Sequence, residues 1–386
     1  MPGGNFAGEY NWFDGLLPVD ERAPFESYMN LETQPHTLGY DFHEINTDDF
    51  IALCREIGAE PYLTINLAWN TPAENAAWVE YCNGDESTEY GRIRADRGYS
   101  EPYNVTLWSL GNEFGYGHME GDNSPAGYAN LARENGKRML EVCPGLTFCS
   151  SGPYPNQEWT KHSAIPLADI ASLVSCHFYN KEPQYADPAK LRAEYERCMG
   201  AVFRAKNNLS EIHNMTDGRL EISLDEWNVW YAWYRPSCVI DGIYTALMMH
   251  MIIGEAEKSG IALACQFEAV NESAIHVMPN KCSLTATGQA FSIMKAHVGG
   301  VLRYASDQVL VTERENSFVM TAVNSSYDES CCVSFKNQGN PVCATLYDGK
   351  CLLPYSHFEC CELSISQKGD CCEIELPPHS MAILKY

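Results

Sequence analysis

The stretch YNVTLWSLGNE, residues 103–113, is an apolar run that ends in an amide and a carboxylate, Asn112 and Glu113. Its length and its large or β-branched side chains predict a buried strand. At the carboxyl end of a strand in an α/β barrel, side chains converge on one mouth, where barrel enzymes place their functional groups. Taken alone, a strand-end glutamate is more often a cap or an ion-pair partner. Glu113 is therefore a candidate that needs support from the rest of the chain.

Further apolar runs of the same kind occur along the chain. They are PYLTINLAW (61–69), LTFCSSG (146–152), ADIASLVSCHFYN (168–180), RLEISLDEWN (219–228) and GIALACQFEAVN (260–271). Segments of helical periodicity separate them. Alternation of strand and helix predicts a parallel sheet with crossover helices.

Two helices can be predicted with their ends. In NTDDFIALCREIGAE, Asn46 or Thr47 is the expected cap, and the apolar residues of one face are Phe50, Leu53, Cys54 and Ile57. The segment SPAGYANLARENGKRMLEVCPG ends at a Cys-Pro-Gly sequence that cannot continue a helix.

The pattern of apolar and polar residues changes near residue 296. From there the runs are short, alternate between apolar and polar residues, and are punctuated by glycine and proline, which is typical of an antiparallel β-sandwich. We therefore expect an α/β fold with two domains. Residues 1–295 form a (β/α)8-type barrel that carries the catalytic site, and residues 296–386 form a C-terminal β-sandwich.

Composition limits the partners and the compartment. The chain has 386 residues, 45% of them hydrophobic, and a formal net charge of −25, which disfavours nucleic acid and anionic membranes as partners. It has 17 cysteines, and it begins MPGGNFAGEYNW, without the basic and apolar regions of a signal peptide. No apolar run approaches the length of a membrane span. These features predict a cytoplasmic protein.

Several other site types find no support in the pattern. The glycines after Leu110 do not form the dinucleotide-binding G-x-G-x-x-G motif, and neither a P-loop nor a G-x-S-x-G elbow is present. The cysteine doublets contain no C-x-x-C pair, so structural thiols are favoured over a zinc site. His36 and His43, near Glu44, match no metal spacing and are interpreted as loop residues. We expect no cofactor and no catalytic metal.

Polar side chains close four of the apolar runs. They are Asn112 with Glu113, His177 with Tyr179, Asp225 with Glu226, and Gln266. Two carboxylates at one barrel mouth are the groups needed to cleave a glycosidic bond, where one donates a proton and the other attacks or activates water. The aromatic residues after Glu226, namely Trp227, Trp230 and Tyr231, would suit the flat faces of sugars, although wall and core roles are commoner.

At these residues the sequence resembles glycoside hydrolase family 51, the retaining α-L-arabinofuranosidases. The matching stretches are PGGNFAGEYNWFDG (2–15), REIGAEPYLTIN (55–66), WSLGNE (108–113), SCHFY (175–179), DEWNVWY (225–231) and the glutamine of LACQFEAVN (263–271). The resemblance implies that Glu113 is the general acid/base and Glu226 the nucleophile. It also implies the residues that hold the arabinofuranose ring, which are Asn5, Asn112, His177, Tyr179 and Gln266. The implied substrates are arabinose-containing oligosaccharides, and the implied assembly is a homo-oligomer.

The chain departs from the family pattern at its amino-terminal side. The family has a first barrel strand that carries a substrate-contacting glutamate, and only about six barrel strands can be counted here where closure needs eight. A fragment, strands borrowed from a partner subunit and an open inactive barrel are the alternatives. Glu268 and Glu272, just beyond Gln266, are candidates to add to the site, but a helix start or the surface is favoured for them.

Two other functional hypotheses remain at this point. The same machinery would serve a xyloside, a β-glucan or a galactofuranoside, with a subsite lined by Trp69, Trp78, Trp230 and Trp233. From a different class, a sugar-binding or assembly pseudoenzyme would keep the carboxylates without the contacts of the first strand.

Overall fold

The computed structural model describes residues 1–26, 39–115, 122–152, 157–181, 188–229, 237–315 and 317–386. Within these ranges the helices are α1 (Thr47–Ile57), α2 (Pro72–Asn83), α3 (Glu89–Asp96), α4 (Pro125–Val142), α5 (Gln157–Ala164), α6 (Pro188–Thr216), α7 (Val239–Ser259) and α8 (Ala286–Met294). Short 3₁₀ helices lie at Gly4–Gly8, Asp14–Leu16, Val19–Glu21, Ile165–Leu167 and Lys295–His297.

The strands of the first 295 residues are mostly those of one six-stranded sheet. They are β1 (Phe25–Glu26), β2 (Tyr40–Asp41), β3 (Tyr62–Thr64), β4 (Leu107–Leu110), β5 (Thr147–Ser150), β6 (Ala171–Asn180), β7 (Glu221–Val229), β8 (Ile261–Gln266), β9 (Ile275–Met278) and β10 (Lys281–Leu284). Strands β3 to β8 follow one another in the sheet in sequence order, with β3–β4, β4–β5 and β5–β6 parallel. Each of the six apolar runs in the sequence thus supplies one strand, and the predicted barrel-type sheet, incomplete at its amino-terminal side, is confirmed.

The remaining strands form the predicted C-terminal sandwich. They are β11 (Val301–Ala305), β12 (Val309–Arg314), β13 (Ser317–Asn324), β14 (Cys331–Lys336), β15 (Cys343–Asp348), β16 (Glu359–Glu362), β17 (Ile365–Lys368), β18 (Cys371–Leu376) and β19 (Ser380–Lys385). An antiparallel sheet of order β11-β12-β13-β19-β15-β16 accompanies a second one of order β14-β18-β17. Inward-facing side chains from both sheets share one core, which contains Met320, Ala322, Val333, Leu363, Ile374, Leu376, Ala382 and Leu384.

The chain divides into two compact units. The first consists of Met1–His177 and Ile212–Ser223, and the second of Phe178–Glu211 and Leu224–Tyr386. These units differ from the ranges expected from sequence texture, and the domain boundary near residue 295 stays a prediction.

Local signals predicted the end of one helix, and another helix only in part. Helix α4 ends at Val142 with Cys143 as its C-cap, as expected, and its N-cap is Ser124. Helix α1 has the expected capping box between Asn46 and Asp49, but its buried face differs from the predicted one: Leu53 is 52% exposed and Ile57 67% exposed. The buried positions are Thr47, Asp48, Ile51 and Cys54.

A buried ion pair explains why α1 buries a different face from the predicted one. The Asp48 carboxylate accepts hydrogen bonds from the hydroxyls of Tyr81 at 2.6 Å and Tyr103 at 2.8 Å, and it pairs with Arg97 at 2.9 Å. A carboxylate held by three partners can be buried without an uncompensated charge. Hydrophobic periodicity could not reveal this face, because its decisive residue is charged.

Helix α7 is an exception to the expectation that no segment could span a membrane. By length and composition alone it is apolar enough to cross a bilayer, and it is the one such helix in the described ranges. However, 67% of its most apolar window is buried inside the protein. Core helices of soluble proteins pass the same test, so this is weak evidence for a span.

Candidate active site

The turn that follows β4 presents Glu113 through a backbone conformation that few residues adopt. Gly111 has φ +80°, and a side chain there would meet the Phe114 ring at 2.8 Å. Glu113 itself has φ +48°, which is uncommon for a residue with a Cβ atom. Such strain persists where the surroundings over-determine the conformation, and it concentrates at functional sites.

Hydrogen bonds from neighbouring elements fix this turn. The Tyr128 hydroxyl on α4 donates to the Leu110 carbonyl at 2.9 Å and accepts from the Ser151 amide at 2.6 Å. The Ser151 hydroxyl in turn accepts from the Phe114 amide at 3.1 Å. Both sides of Glu113 are thus tied to buried groups, which restricts where its carboxyl group can go.

The first unit brings four of the predicted site residues into two contacts. His177 Nδ1 lies 2.8 Å from Glu113 Oε1, and the His177 side chain is 3% exposed. Asn112 Nδ2 donates to Asn5 Oδ1 at 3.5 Å. Since an imidazole nitrogen either donates or accepts, the carboxyl group of Glu113 keeps a partner in both of its protonation states.

The second unit holds Glu226 near the end of β7. Its carboxylate is buried, and Oε2 accepts a hydrogen bond of 2.6 Å from the Tyr179 hydroxyl. A short hydrogen bond to a carboxylate is among the stronger ones in proteins and favours the ionised form. Asn228, two residues on, anchors the strand end: its side-chain amide donates to the Phe267 carbonyl, and its Oδ1 accepts from the Val229 amide.

Gln266 is the last residue of β8, and only one of the two polar atoms of its side-chain amide has a hydrogen-bond partner among the described residues. Its Oε1 accepts a hydrogen bond of 3.0 Å from the Ser273 hydroxyl, whereas Nε2 is buried without a partner among the described residues. The side chain lines a cavity of about 850 Å³ whose walls are mainly apolar residues of α7, α8 and the first sandwich strands. A buried donor without a partner costs free energy, and a ligand hydroxyl would remove that cost.

The aromatic residues divide between core and surface. Trp227 is 2% exposed and stacks on Phe291 at 6.2 Å, so it cannot be a sugar platform. Trp78 is also buried, and its indole donates to the Thr47 hydroxyl, which removes it from the subsite considered for other sugars. Trp69 is exposed. Trp230, Tyr231 and Trp233 lie outside the described residues.

The histidine and cysteine positions weighed as metal ligands have other surroundings. His43 is buried against the rings of Phe6 and Tyr10, 3.5 Å from an Asp14 oxygen, while His36 lies outside the described residues. The cysteine doublets fall on β14, β16 and β18, where adjacent side chains point to opposite faces.

For one further residue, Glu272, the position favoured from the sequence differs from the one in the structure. It lies in a turn after β8, not at a helix start, and its Oε2 is buried without a partner among the described residues. Burial, together with the charges of Glu268 and Glu226, raises its pKa to about 8. The available signal was its position six residues beyond Gln266, at the end of a strand that closes in a polar residue.

Comparison with known proteins identifies the family of this chain. Residues 1–197 match the α-L-arabinofuranosidase 1 domain. A probable α-L-arabinofuranosidase C from Aspergillus flavus is 33% identical over 248 residues, which cover 59% of this chain and 47% of that protein. An intracellular exo-α-(1→5)-L-arabinofuranosidase from Halalkalibacterium halodurans is 26% identical over 294 residues, or 70% of this chain and 57% of that protein. The chain spans about half the length of the curated relatives it matches.

The fold agrees with this match. A solved family 51 α-L-arabinofuranosidase from Bifidobacterium longum superposes with a TM-score of 0.84 and 19% identity, covering 100% of this chain and 86% of that chain. At that identity the likeness concerns the fold alone. The family match covers half of the chain, and with it the residues of both Asn5 and Glu113. This chain belongs to the α-L-arabinofuranosidase family, glycoside hydrolase family 51.

Proposed function

We propose that this chain is a retaining exo-glycosidase that releases α-L-arabinofuranosyl groups from arabinose-containing oligosaccharides. The observation that carries the proposal is a pair of carboxyl groups, one in the turn after β4 and one near the end of β7, each held by a hydrogen-bonding side chain of β6. Those side chains, His177 and Tyr179, are two residues apart on one strand and therefore face the same side of the sheet. We expect Glu113 and Glu226 to share one mouth with their carboxyl groups about 5 Å apart, the separation of retaining enzymes.

The two carboxyl groups have different tasks in this mechanism. Glu226, ionised and oriented by Tyr179, attacks the anomeric carbon while Glu113 gives its proton to the leaving oxygen. Water then attacks the glycosyl-enzyme and gives its proton to Glu113, and Glu226 leaves as a carboxylate. Two inversions at the same carbon give net retention.

The polar residues around the carboxyl groups are proposed to hold the sugar. The amides of Asn5 and Asn112 offer donors and acceptors for furanose hydroxyls. Gln266 Nε2, which is buried without a partner among the described residues, offers a further donor. His177 and Tyr179 contribute by positioning the carboxyl groups and by their own polar atoms. The Gln266 amide gives the most direct support for sugar binding, because an acceptor on the sugar would pair with its buried donor.

Location and assembly are part of the same proposal. An intracellular protein is supported by the Halalkalibacterium halodurans relative, which is named intracellular. Homo-oligomerisation is supported by exposed apolar residues on and just before β11, including Val298 at 71%, Val301 at 58% and Tyr304 at 56% exposure. Sedimentation velocity of the purified chain would test the assembly, and a monomer at micromolar concentration would contradict it.

Hydrolysis of 4-nitrophenyl α-L-arabinofuranoside tests the function. We expect turnover that Glu226→Ala abolishes and Glu113→Ala slows, with azide accelerating only the Glu113 variant and yielding an arabinosyl azide of retained configuration. Glu134→Ala, an exposed glutamate on α4, is the matched control and should leave the rate unchanged. A folded chain without turnover on this or on xyloside, glucoside and galactofuranoside analogues would overturn an enzymatic function. Turnover of only one of these analogues would mean that its sugar, and not arabinofuranose, is the substrate.

A further inference from the structure

A short turn after β8 carries Glu272 toward the strand that bears Glu226. The turn is closed by main-chain bonds from the Ala274 and Ile275 amides to the Ala269 carbonyl, at 3.0 and 2.8 Å. Next to Glu272, the Ser273 hydroxyl contacts both Gln266 Oε1 and, at 2.6 Å, the Glu268 carbonyl. These bonds fix the position of the Glu272 backbone.

The side chain of Glu272 faces a small polar cavity behind the end of β7. The cavity has a volume of about 10 Å³, and its other lining residues are Asn228, Val229, Ser237, Asp241, Ser273 and Thr287. Asn228 and Val229 are the last two residues of β7, the strand of Glu226. Within the described part of the chain, Glu272 Oε2 is buried and has no hydrogen-bond partner. There is no room there for the hydration shell of a carboxylate, since a single water needs about this volume.

Among the described residues, the charged groups that shift the pKa of Glu272 are acidic. Burial raises the pKa of Glu272, and the charges of Glu268 and Glu226 raise it further. The third acidic neighbour, Asp241, lines the same cavity at the start of α7 and accepts a hydrogen bond from the Cys238 amide at 2.8 Å. A carboxyl group with one oxygen buried in so small a cavity, next to acidic neighbours, is most stable with its proton on.

We propose that Glu272 is a positioning residue for the reaction of Glu226: it packs behind the end of β7 as a neutral carboxylic acid, and its ionisation hinders the departure of Glu226 from the glycosyl-enzyme. The inference rests on the proposed function of Glu226 as nucleophile. The inference means that the turn after β8 affects the rate of deglycosylation, the second chemical step.

The direction of the effect follows from the charges in that step. In the glycosyl-enzyme, Glu226 is an uncharged ester. When water attacks, its proton passes to Glu113, the bond between the anomeric carbon and the Glu226 oxygen breaks, and the electron pair returns negative charge to Glu226. A neutral Glu272 does not oppose that returning charge, whereas an ionised Glu272 repels it. Deglycosylation should therefore slow as Glu272 loses its proton, while attack by Glu226 is not slowed.

Pre-steady-state kinetics of wild type and Glu272→Gln distinguish this role from a structural one. With 4-nitrophenyl α-L-arabinofuranoside, the wild type should show a burst of 4-nitrophenol that grows toward one equivalent per active site as the pH passes about 8, the value to which the Glu272 pKa is raised. In Glu272→Gln, whose amide is an isostere of the neutral acid, the burst amplitude should not increase with pH. Its kcat should begin to fall at a pH at least one unit higher than the kcat of wild type. Glu113 is not the source of the change, because its ionised form is the base that deglycosylation needs.

An unfolding series gives a second readout that needs no activity. A folded-state pKa above the ordinary glutamate value means that stability is fully present below about pH 4.5 and is lost as the pH rises toward about 8. Glu272→Gln should therefore gain stability relative to wild type over that window and match it at pH 4. Glu257→Gln, an exposed glutamate on α7, is the control and should behave as wild type in both experiments.

The outcomes separate the two proposals. An active wild type whose burst and unfolding profiles are the same as those of Glu272→Gln overturns this inference and leaves the proposed function standing. A folded wild type without glycosidase activity overturns the proposed function and, with it, the role of Glu272.

Discussion

Tyr179 should control the rate more than the stability. Its hydroxyl donates a 2.6 Å hydrogen bond to the buried Glu226 carboxylate. A hydrogen bond to a charged group contributes about 1.5 to 3 kcal/mol, so Tyr179→Phe should lower kcat about 10- to 150-fold if that contribution acts in the transition state. Steady-state kinetics with an aryl arabinofuranoside measures the effect, and thermal unfolding checks that the fold is kept.

Tyr195 provides the matched control. It is a buried tyrosine on α6 whose hydroxyl has no hydrogen-bond partner in the described ranges. Tyr195→Phe removes the same atom without breaking a bond, so neither kcat nor stability should fall. Equal losses in the two variants would show that the Tyr179 hydroxyl has no special relation to Glu226.

At the scale of the structural elements, the turn that ends β4 requires a glycine at position 111, just before Asn112. Gly111→Ala would place a Cβ atom 2.8 Å from the Phe114 ring and 3.1 Å from Leu67, at φ +80°. We expect a loss of about 1 to 3 kcal/mol in unfolding free energy and a fall in kcat, since the same turn carries Glu113. Chemical denaturation and kinetics on one preparation measure both.

Gly145→Ala is the control for this turn. Gly145 precedes β5, and a Cβ atom there would meet nothing within 4 Å. The variant should stay within about 0.5 kcal/mol of wild type and keep full activity. If it lost as much as Gly111→Ala, general loop rigidity would explain the result, and not the geometry that presents Glu113.

The elements also show which parts of the fold the sequence could predict. All six strands of the sheet β3 to β8 were recognisable because each lies in a compact apolar run between turn residues, and the end of α4 because its terminating proline is a local signal. The buried face of α1 was predicted wrongly, since Asp48 is buried through partners from distant segments. In the same way, the strand-end positions of Glu113 and Glu226 could be predicted, whereas the partly buried position of Glu272 could not, because it depends on how one turn packs behind β7.

At the scale of the whole molecule, the response to acid results from two opposing effects. The net charge of −25 makes the folded chain repel itself at neutral pH, so protonation of surface carboxylates on acidification should relieve that repulsion. Buried neutral histidines act in the opposite direction. Which effect prevails cannot be predicted from composition, because it depends on which histidines are buried.

Two such histidines meet beside the sandwich, and they provide the last prediction. His250 on α7 and His297 both lie next to the Thr321 hydroxyl, at 2.8 and 2.9 Å, and His297 Nδ1 lies 2.8 Å from the Thr312 hydroxyl. Burial lowers the pKa of His250 to about 3 and that of His297 to about 4. Because the unfolded chain takes up these protons near pH 6.5, the stability that the neutral rings retain above that pH is lost as the pH falls toward 4.

A shift from 6.5 to about 4 at His297 alone corresponds to about 3 kcal/mol. Urea unfolding between pH 7.5 and 4.5 should therefore show wild type losing stability, and His297→Gln should start lower but lose less over the same range. His357→Gln, at an exposed position, should keep the wild-type slope. A wild-type stability that rises steadily on acidification would mean that relief of charge repulsion outweighs the buried pair. Parallel curves for wild type and His297→Gln would remove His297 from the acid response altogether.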